Sequence, residues 1–364
     1  MSDPRWAIEI DRDDIATARI VDDPAVALAA GEIEVRIDDF AITANNVTYA
    51  ALGKPVGLFP NGKGYWDFFS PGGEGPARLP VWGFATVTQS AAEGVAKGEQ
   101  IYGYYPMASH LRLTPKRIGA AGFVDVAAHR AGMPAVYDQY QRVVALGDYV
   151  AADREWWPVF RPLYLTGWLI ADQFEELHDY DAEQVIVASA SSKTAIGFAH
   201  AMRQRRERPK LVGLTSERGQ EFLADSGIYD QLVLYDAIDT LDAAMPAAFV
   251  DIAGDGAVTA ALHRHFGEAL KLTLIVGKAH WNATPGERFP ATGFFAPARI
   301  EKRVADWGAA EFRGRVAAAW THFLGDARKL FRIEVREGAE AALGAYREAV
   351  AGRADPRAGI VIRP

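Results

Sequence analysis

The chain of 364 residues contains no cysteine. Disulfides and thiolate metal sites are thereby excluded, and the composition suits a reducing, cytoplasmic location. No apolar run of about eighteen residues occurs, and the start does not resemble a signal peptide, so neither membrane spanning nor export is indicated. Positive charge is in the minority. Against 47 Asp and Glu stand 39 Lys and Arg, for a net charge of −8, and with no long basic run a nucleic acid finds no electrostatic footprint. Several catalytic signatures are missing too. There is no His-Glu-x-x-His pair and no Gly-x-Ser-x-Gly elbow. His263 and His265 are two apart and so on different faces of a helix; each of the eight histidines reads as a surface or packing residue, and no metal site is expected. Ser192-Lys193-Thr194 looks like the end of a P-loop, but Ser192 and Val187 stand where that loop needs glycines, which removes the triphosphatase reading.

What is present is apolar surface enough for two cores: 49% of the residues are hydrophobic, and a chain of this length divides into lobes. The first part is β-rich. In residues 31–42 Ile33, Val35 and Ile37 alternate with Glu34, Arg36 and Asp38, the mark of a half-buried antiparallel strand. Residues 53–83 are crowded with glycine, proline and aromatics and read as a long irregular loop, of a length that is usually functional or disordered. Further short strands follow in LPVWGFATVTQS, in residues 97–103 and in HLRLTP. From about residue 158 the pattern changes. A helix is predicted over Arg161–Leu177, then strands over 184–188, 211–215, 232–235, 249–252 and 272–276 with helical segments between most of them, which argues for a parallel sheet covered on both faces. Residues 299–330 read as helices, and GIVIRP as a last strand available to the first lobe.

Residues 184–218 form the most complete unit: strand, crossover helix and second strand. Val185-Ile186-Val187-Ala188 runs into the small polar turn Ser189–Thr194, after which Ala195, Phe198, Ala199 and Met202 recur at helical spacing. Arg203, Arg205, Arg206 and Arg208 gather where the helix ends and suit the negative end of its dipole. An ordinary crossover with a Ser-rich turn has the same pattern, so the stretch alone leaves function open.

Three patches together resemble the medium-chain dehydrogenase/reductase superfamily, on its zinc-free quinone oxidoreductase and enone reductase side. They are GEIEVRIDDFAITANNVTYAALG, then LPVWGFATVTQ with KGEQIYGYYP, and third Ser191-Ser192-Lys193-Thr194-Ala195-Ile196-Gly197 after a strand. The likeness is nearest to an uncharacterised branch sharing the SSKTAIG turn. It implies an α/β chain with a GroES-like β-barrel domain at 1–155, a Rossmann doubly wound parallel sheet at 156–325 and a segment at 326–364 returning to the first domain. It also implies NADP(H) as cofactor, contacted by Thr166, Ser191, Ser192, Lys193, Thr194, Ala253, Gly254, Val276 and Gly277.

The turn departs from the family where Lys193 and Thr194 replace glycines that would let backbone N–H groups approach a pyrophosphate. Hydroxyls of Ser191, Ser192 and Thr194, the Lys193 cation and the helix N-terminus offer an anion other donors. At the end of the second strand Thr215, Ser216 and Arg218 favour a 2′-phosphate, with Glu217 as a rival for a ribose hydroxyl, and Tyr235 matches an aromatic that the family sets against the adenosine. Without a Lewis acid to hold an alkoxide, hydride addition to an enone, a quinone or a related carbonyl is the expected reaction. Tyr49, with Asn45 and Asn46, is the candidate hydrogen-bond donor and is expected to face the substrate. Trp66, Phe68, Phe69, Trp281, Phe294 and Phe295 either line an apolar cleft or simply fill cores. The expected partner is a small apolar or aromatic carbonyl compound, and a homodimer is the default assembly. The alternative is a non-catalytic NADP(H)-sensing or interaction protein on the same fold.

Overall fold

The computed structural model describes residues 4–55, 59, 62–69, 75–224, 226–278 and 289–364. Two compact units result, one of Met1–Pro162 with Arg332–Pro364 and the other of Leu163–Phe331.

In the second unit six parallel strands lie in the order Gln231–Leu234, Lys210–Thr215, Gln184–Val187, Ala247–Asp251, Leu270–Ile275, Thr292–Gly293. Counted along the chain this is 3-2-1-4-5-6, the doubly wound Rossmann order, which reverses direction between the first and fourth strands. Consecutive apolar residues make these strands because both faces are covered. Val185 sits between Leu211 and Ala248, and Ile186, Val212, Leu214 and Phe249 pack into one buried cluster. The helix Trp156–Glu176 approaches the helix Lys193–Arg203 backbone to backbone at Gly167. A Cβ there would lie 2.4 Å from the Phe198 nitrogen and 2.8 Å from the Thr194 oxygen, so only glycine fits. The arginines at the end of that helix also make ion pairs: Arg205 pairs with Asp179 at 2.6 Å, and Arg203 and Arg208 pair with Asp230 at 3.3 and 2.6 Å.

The first unit carries a nine-stranded sheet ordered Arg332–Glu337, Ala358–Arg363, Ile33–Ile42, Pro80–Ser90, Gln100–Pro106, Gln139–Arg142, Gly122–Asp125, Pro115–Gly119, with His110–Leu113 also on Ile33–Ile42. Ile33, Val35 and Ile37 are buried as the alternation predicts, but Glu34 is buried as well. Its carboxylate accepts from Arg5 at 2.9 Å and lies by the hydroxyl of Thr88, the pairing that a buried charge needs. The end of the chain adds a βαβ unit: Arg332–Glu337, the helix Gly338–Val350, and Ala358–Arg363 parallel to the first strand and antiparallel to Ile33–Ile42. The architecture is thus α/β, a GroES-like unit and a Rossmann unit. Among the described residues no helix is long and apolar enough to cross a membrane.

Candidate active site

In open parallel sheets ligands bind outside the carboxyl ends of the strands where the order reverses. Here that edge is built by the turn after Val187, the end of the second strand, and the loop after Asp251. Ser189 adopts a left-handed backbone at φ 55°, which starts the turn without a glycine. Three ties keep it there: the Ser189 N–H donates to the Tyr235 hydroxyl at 2.8 Å, the Ala190 N–H to the Leu214 carbonyl at 3.0 Å, and the Tyr229 hydroxyl to the Ala190 carbonyl at 2.9 Å. Ser192 caps the helix Lys193–Arg203, its hydroxyl accepting from the Ala195 N–H at 3.3 Å. The N–H groups of Ser191 and Thr194 meet no acceptor among the described residues and remain as donors for an anion at the helix start. Lys193 turns its ammonium over the ring of Phe331, 5.5 Å from the centroid.

The second strand's end comes to the same place. A Cβ on Gly219 would lie 2.0 Å from the Thr215 Oγ1 and 2.9 Å from the Ser191 Oγ, so the missing side chain brings the hydroxyls of Ser191 and Thr215 to one spot. Thr215 is buried, whereas Ser216 and Arg218 are exposed. Ser216 spends its hydroxyl as an acceptor on the Gly219 N–H at 3.3 Å; Arg218 makes no ion pair with a described residue. Tyr235, expected to present its ring, also holds the turn through its hydroxyl, and burial pushes that phenol up to about 12.

Across the reversal, Gly254 at φ 71° packs against the next loop: a Cβ would lie 2.8 Å from the Lys278 Cα. Ala253 is fully buried, and the Val276 and Gly277 N–H groups both point at the Asp251 carbonyl, at 2.8 and 3.4 Å. Burial raises the Asp251 carboxyl to about 6, against hydrogen bonds from the Gly254 N–H and the Thr259 hydroxyl. Thr166 stands half-buried on the helix Trp156–Glu176, beside Gly167. The structure therefore gathers Ser191, Thr194, Thr215, Tyr235 and the 251–254 loop on one edge of the sheet.

In the first unit the helix Ala44–Ala51 carries the candidate donors. Asn46 holds the start of this helix in place, because its Oδ1 accepts from the Thr43 N–H at 2.8 Å and its Nδ2 donates to the Pro80 carbonyl at 3.0 Å. Asn46 thus closes the first turn in the manner of a capping box. Tyr49 is enclosed by other aromatic rings. It is 6% exposed, stacked on Tyr65 with centroids 4.3 Å apart and edge-on to Tyr104 at 6.0 Å. Burial raises its phenol, opposed by the neighbouring Tyr104, Trp82 and Asn45. Tyr104, missed in the sequence, faces Tyr49, whose hydroxyl acts on it electrostatically, yet its own buried hydroxyl makes no hydrogen bond of good geometry among the described residues. Phe68 is fully buried, Trp66 and Phe69 nearly so, and the Arg130 guanidinium covers Phe69 at 4.9 Å; these rings are core. In the second unit Phe294 is buried and Phe295 half-buried, and Trp281 lies outside the described residues.

The fold so built, a GroES-like unit with a Rossmann unit, is similar to that of solved oxidoreductases. Vibrio vulnificus CurA in complex with NADPH is similar over 98% of both chains, with a TM-score of 0.64 and 13% identity. The CurK enoyl reductase is similar over 99% of both chains, with a TM-score of 0.54 and 11% identity. The quinone oxidoreductase from Coxiella burnetii matches 99% of both chains, with a TM-score of 0.51 and 14% identity. At such identities the likeness speaks for the fold. No curated protein matches the sequence. The chain belongs to the DUF2855 family, described as "Protein of unknown function", whose profile matches residues 40–355.

Proposed function

We propose that the chain is an NADPH-dependent, zinc-independent reductase that transfers hydride to an activated alkene, a quinone or a related carbonyl compound. The observation that carries the reading is the convergence of Ser191 and Thr215 hydroxyls on Gly219, at the carboxyl edge of a Rossmann sheet where dinucleotides bind. NADPH bound in CurA supports the same choice. The residues present suit the cofactor. The free N–H groups of Ser191 and Thr194 donate to a phosphate oxygen, and Arg218 with Thr215 meets the 2′-phosphate.

When bound, NADPH supplies the hydride. The first unit supplies neutral phenols: Tyr49, Tyr65 and Tyr104 all have their ionisation pushed upward by burial. In the first unit the hydroxyls of Tyr49 and Tyr104, with the Asn45 amide, would be the donors for a carbonyl oxygen that takes up negative charge when an enone is reduced. The unpartnered Tyr104 hydroxyl gains the acceptor it lacks, which removes a desolvation cost of about 1–3 kcal/mol. Tyr49 and Tyr104 keep their protons because burial disfavours the phenolate, and the enolate takes its proton from water.

The test is titration with NADPH and NADH, followed by turnover against a panel of enones, quinones and aldehydes after exhaustive chelation. Tight NADPH binding with oxidation of the cofactor by at least one class is expected. NADPH binding with no reduction across the panel would transfer the chain to the sensing reading, and absence of binding would remove both.

A further inference from the structure

The helices Lys193–Arg203 and Ala309–Leu330 meet at three side chains that neither cofactor binding nor hydride transfer employs. His200 comes from the first helix, His322 and Asp326 from the second, one turn apart on the same face. The His200 Nε2 lies 3.2 Å from the His322 Nδ1 and 3.4 Å from the Asp326 Oδ2, and the three ligand atoms all lie within 4.8 Å of one another. His200 is buried at 5% exposure and fixed edge-on against Tyr164 at 5.8 Å and Phe323 at 5.2 Å. Asp326 is steadied through its other oxygen, which accepts from Lys329 at 2.7 Å.

From this geometry we infer a site for a divalent transition-metal ion, held by the His200 Nε2, the His322 Nδ1 and an Asp326 oxygen. Two features support it. A tetrahedral ion with bonds of about 2.0–2.1 Å requires ligand atoms about 3.3 Å apart, and both measured edges fall at that value. Secondly, one nitrogen of His200 faces both a second ring nitrogen and a carboxylate oxygen. A single N–H there can point at His322 or at Asp326, whereas a cation among the three atoms satisfies all of them. Two imidazoles and one carboxylate select zinc, cobalt or nickel over magnesium or calcium, which prefer oxygen alone. His322 is exposed, so the fourth position opens to water. The His200 Nδ1 has no partner among the described residues; without that second hydrogen bond the affinity stays below that of a fully supported site. The ion would clip the two helices together and takes no part in hydride transfer. Sequence spacing could not reveal it, since His200 and His322 are 122 residues apart.

Chelator-treated full-length protein should be titrated with Co2+ and followed by visible absorption, then challenged with Zn2+. One equivalent of Co2+ with the intense bands of four-coordinate geometry is expected, displaced by Zn2+, and Zn2+ should raise the melting temperature. His322→Ala, at an exposed position where packing is kept, should weaken Co2+ by about a hundredfold and abolish the Zn2+ effect on melting. Asp326→Asn should weaken it less. Equal Co2+ affinity in wild type and His322→Ala, or no Co2+ spectrum in the wild type, would overturn the site and leave a hydrogen-bonded histidine pair.

Discussion

The two units handle buried polar groups in opposite ways. The Rossmann unit keeps the middle of its sheet apolar, with Ile186, Val212, Leu214 and Phe249, and sets Thr215, Tyr235 and Asp251 at the carboxyl edge. The GroES-like unit carries phenols in its interior: Tyr49, Tyr65, Tyr104, Tyr105, Tyr137 and Tyr140 are all buried. Some of these are settled, as in Tyr140, which donates to the Tyr104 carbonyl at 2.6 Å and accepts from Arg130 at 2.9 Å. Tyr104 itself is not. A site at a sheet edge is found by topology, because strand order says where backbone ends converge; a site inside a packed unit is found by asking which polar atom is still unspent.

The largest effect should come from breaking the interior set. Tyr49→Phe removes one donor from the developing oxyanion and is expected to lower kcat by about a hundredfold with folding stability and NADPH affinity unchanged. Tyr104→Phe should lower kcat similarly while raising stability, because an unsatisfied buried hydroxyl is lost. Steady-state kinetics with urea unfolding checks both. Unaltered kcat in the pair would make these phenols plain core and erase the contrast between the units.

On the edge of the Rossmann sheet the test is selective. Arg218→Ala should weaken NADPH by about ten- to a hundredfold, the worth of one charge-assisted hydrogen bond, and leave NADH unchanged. Competitive titration of both dinucleotides measures it. Equal losses would mean that Arg218 does not read the 2′-phosphate.

The same contrast explains what could be read in advance. Strands such as Gln184–Val187 and Ala247–Asp251 are short apolar runs bounded by polar turns, and they were legible within about two residues. Arg332–Glu337 was not, because RIEVRE is a half-exposed strand at the sheet's rim, and neither was the helix Gly338–Val350, whose alanines show little periodic contrast. At the site, Thr215 and Ser216 follow a recognisable strand and could be named. Gly219 could not, since its meaning lies in two hydroxyls from other parts of the chain. Tyr104 was hidden for a related reason: an unpartnered hydroxyl is a property of packing, invisible in QIYGYYP.

A smaller effect is expected from Asp251. Burial lifts its carboxyl from 3.8 to about 6, so the folded chain binds this proton more tightly than the unfolded one. Stability contributed by the group is therefore present below about pH 4 and lost as pH rises through about 6. Asp251→Asn removes that slope. The variant should gain on the wild type by about 2–3 kcal/mol between pH 4 and pH 7, the worth of lifting the carboxyl from 3.8 to about 6. Urea unfolding at both ends of the range is the measurement. A difference independent of pH would show the carboxyl ionised at its ordinary value.

The smallest effect concerns Ser189, the residue that begins the turn after Gln184–Val187. A left-handed backbone costs an L-residue about 1–2 kcal/mol, and φ 55° places Ser189 there. Glycine has no such cost but loses about 0.5–1 kcal/mol through the greater freedom of its unfolded chain. Ser189→Gly should thus stabilise the protein by up to about 1 kcal/mol, and Ser189→Val, with a branched Cβ in the same conformation, should destabilise it by more than that. Because the Tyr235 hydroxyl holds the backbone N–H of residue 189, which both variants retain, the turn should keep its shape in the glycine variant and NADPH affinity should change by no more than about twofold. If Ser189→Gly loses tenfold or more in NADPH affinity while its stability rises, the serine side chain itself reaches the cofactor, and the edge of the Rossmann sheet uses one more hydroxyl than the ties to Tyr229, Tyr235 and Leu214 suggest.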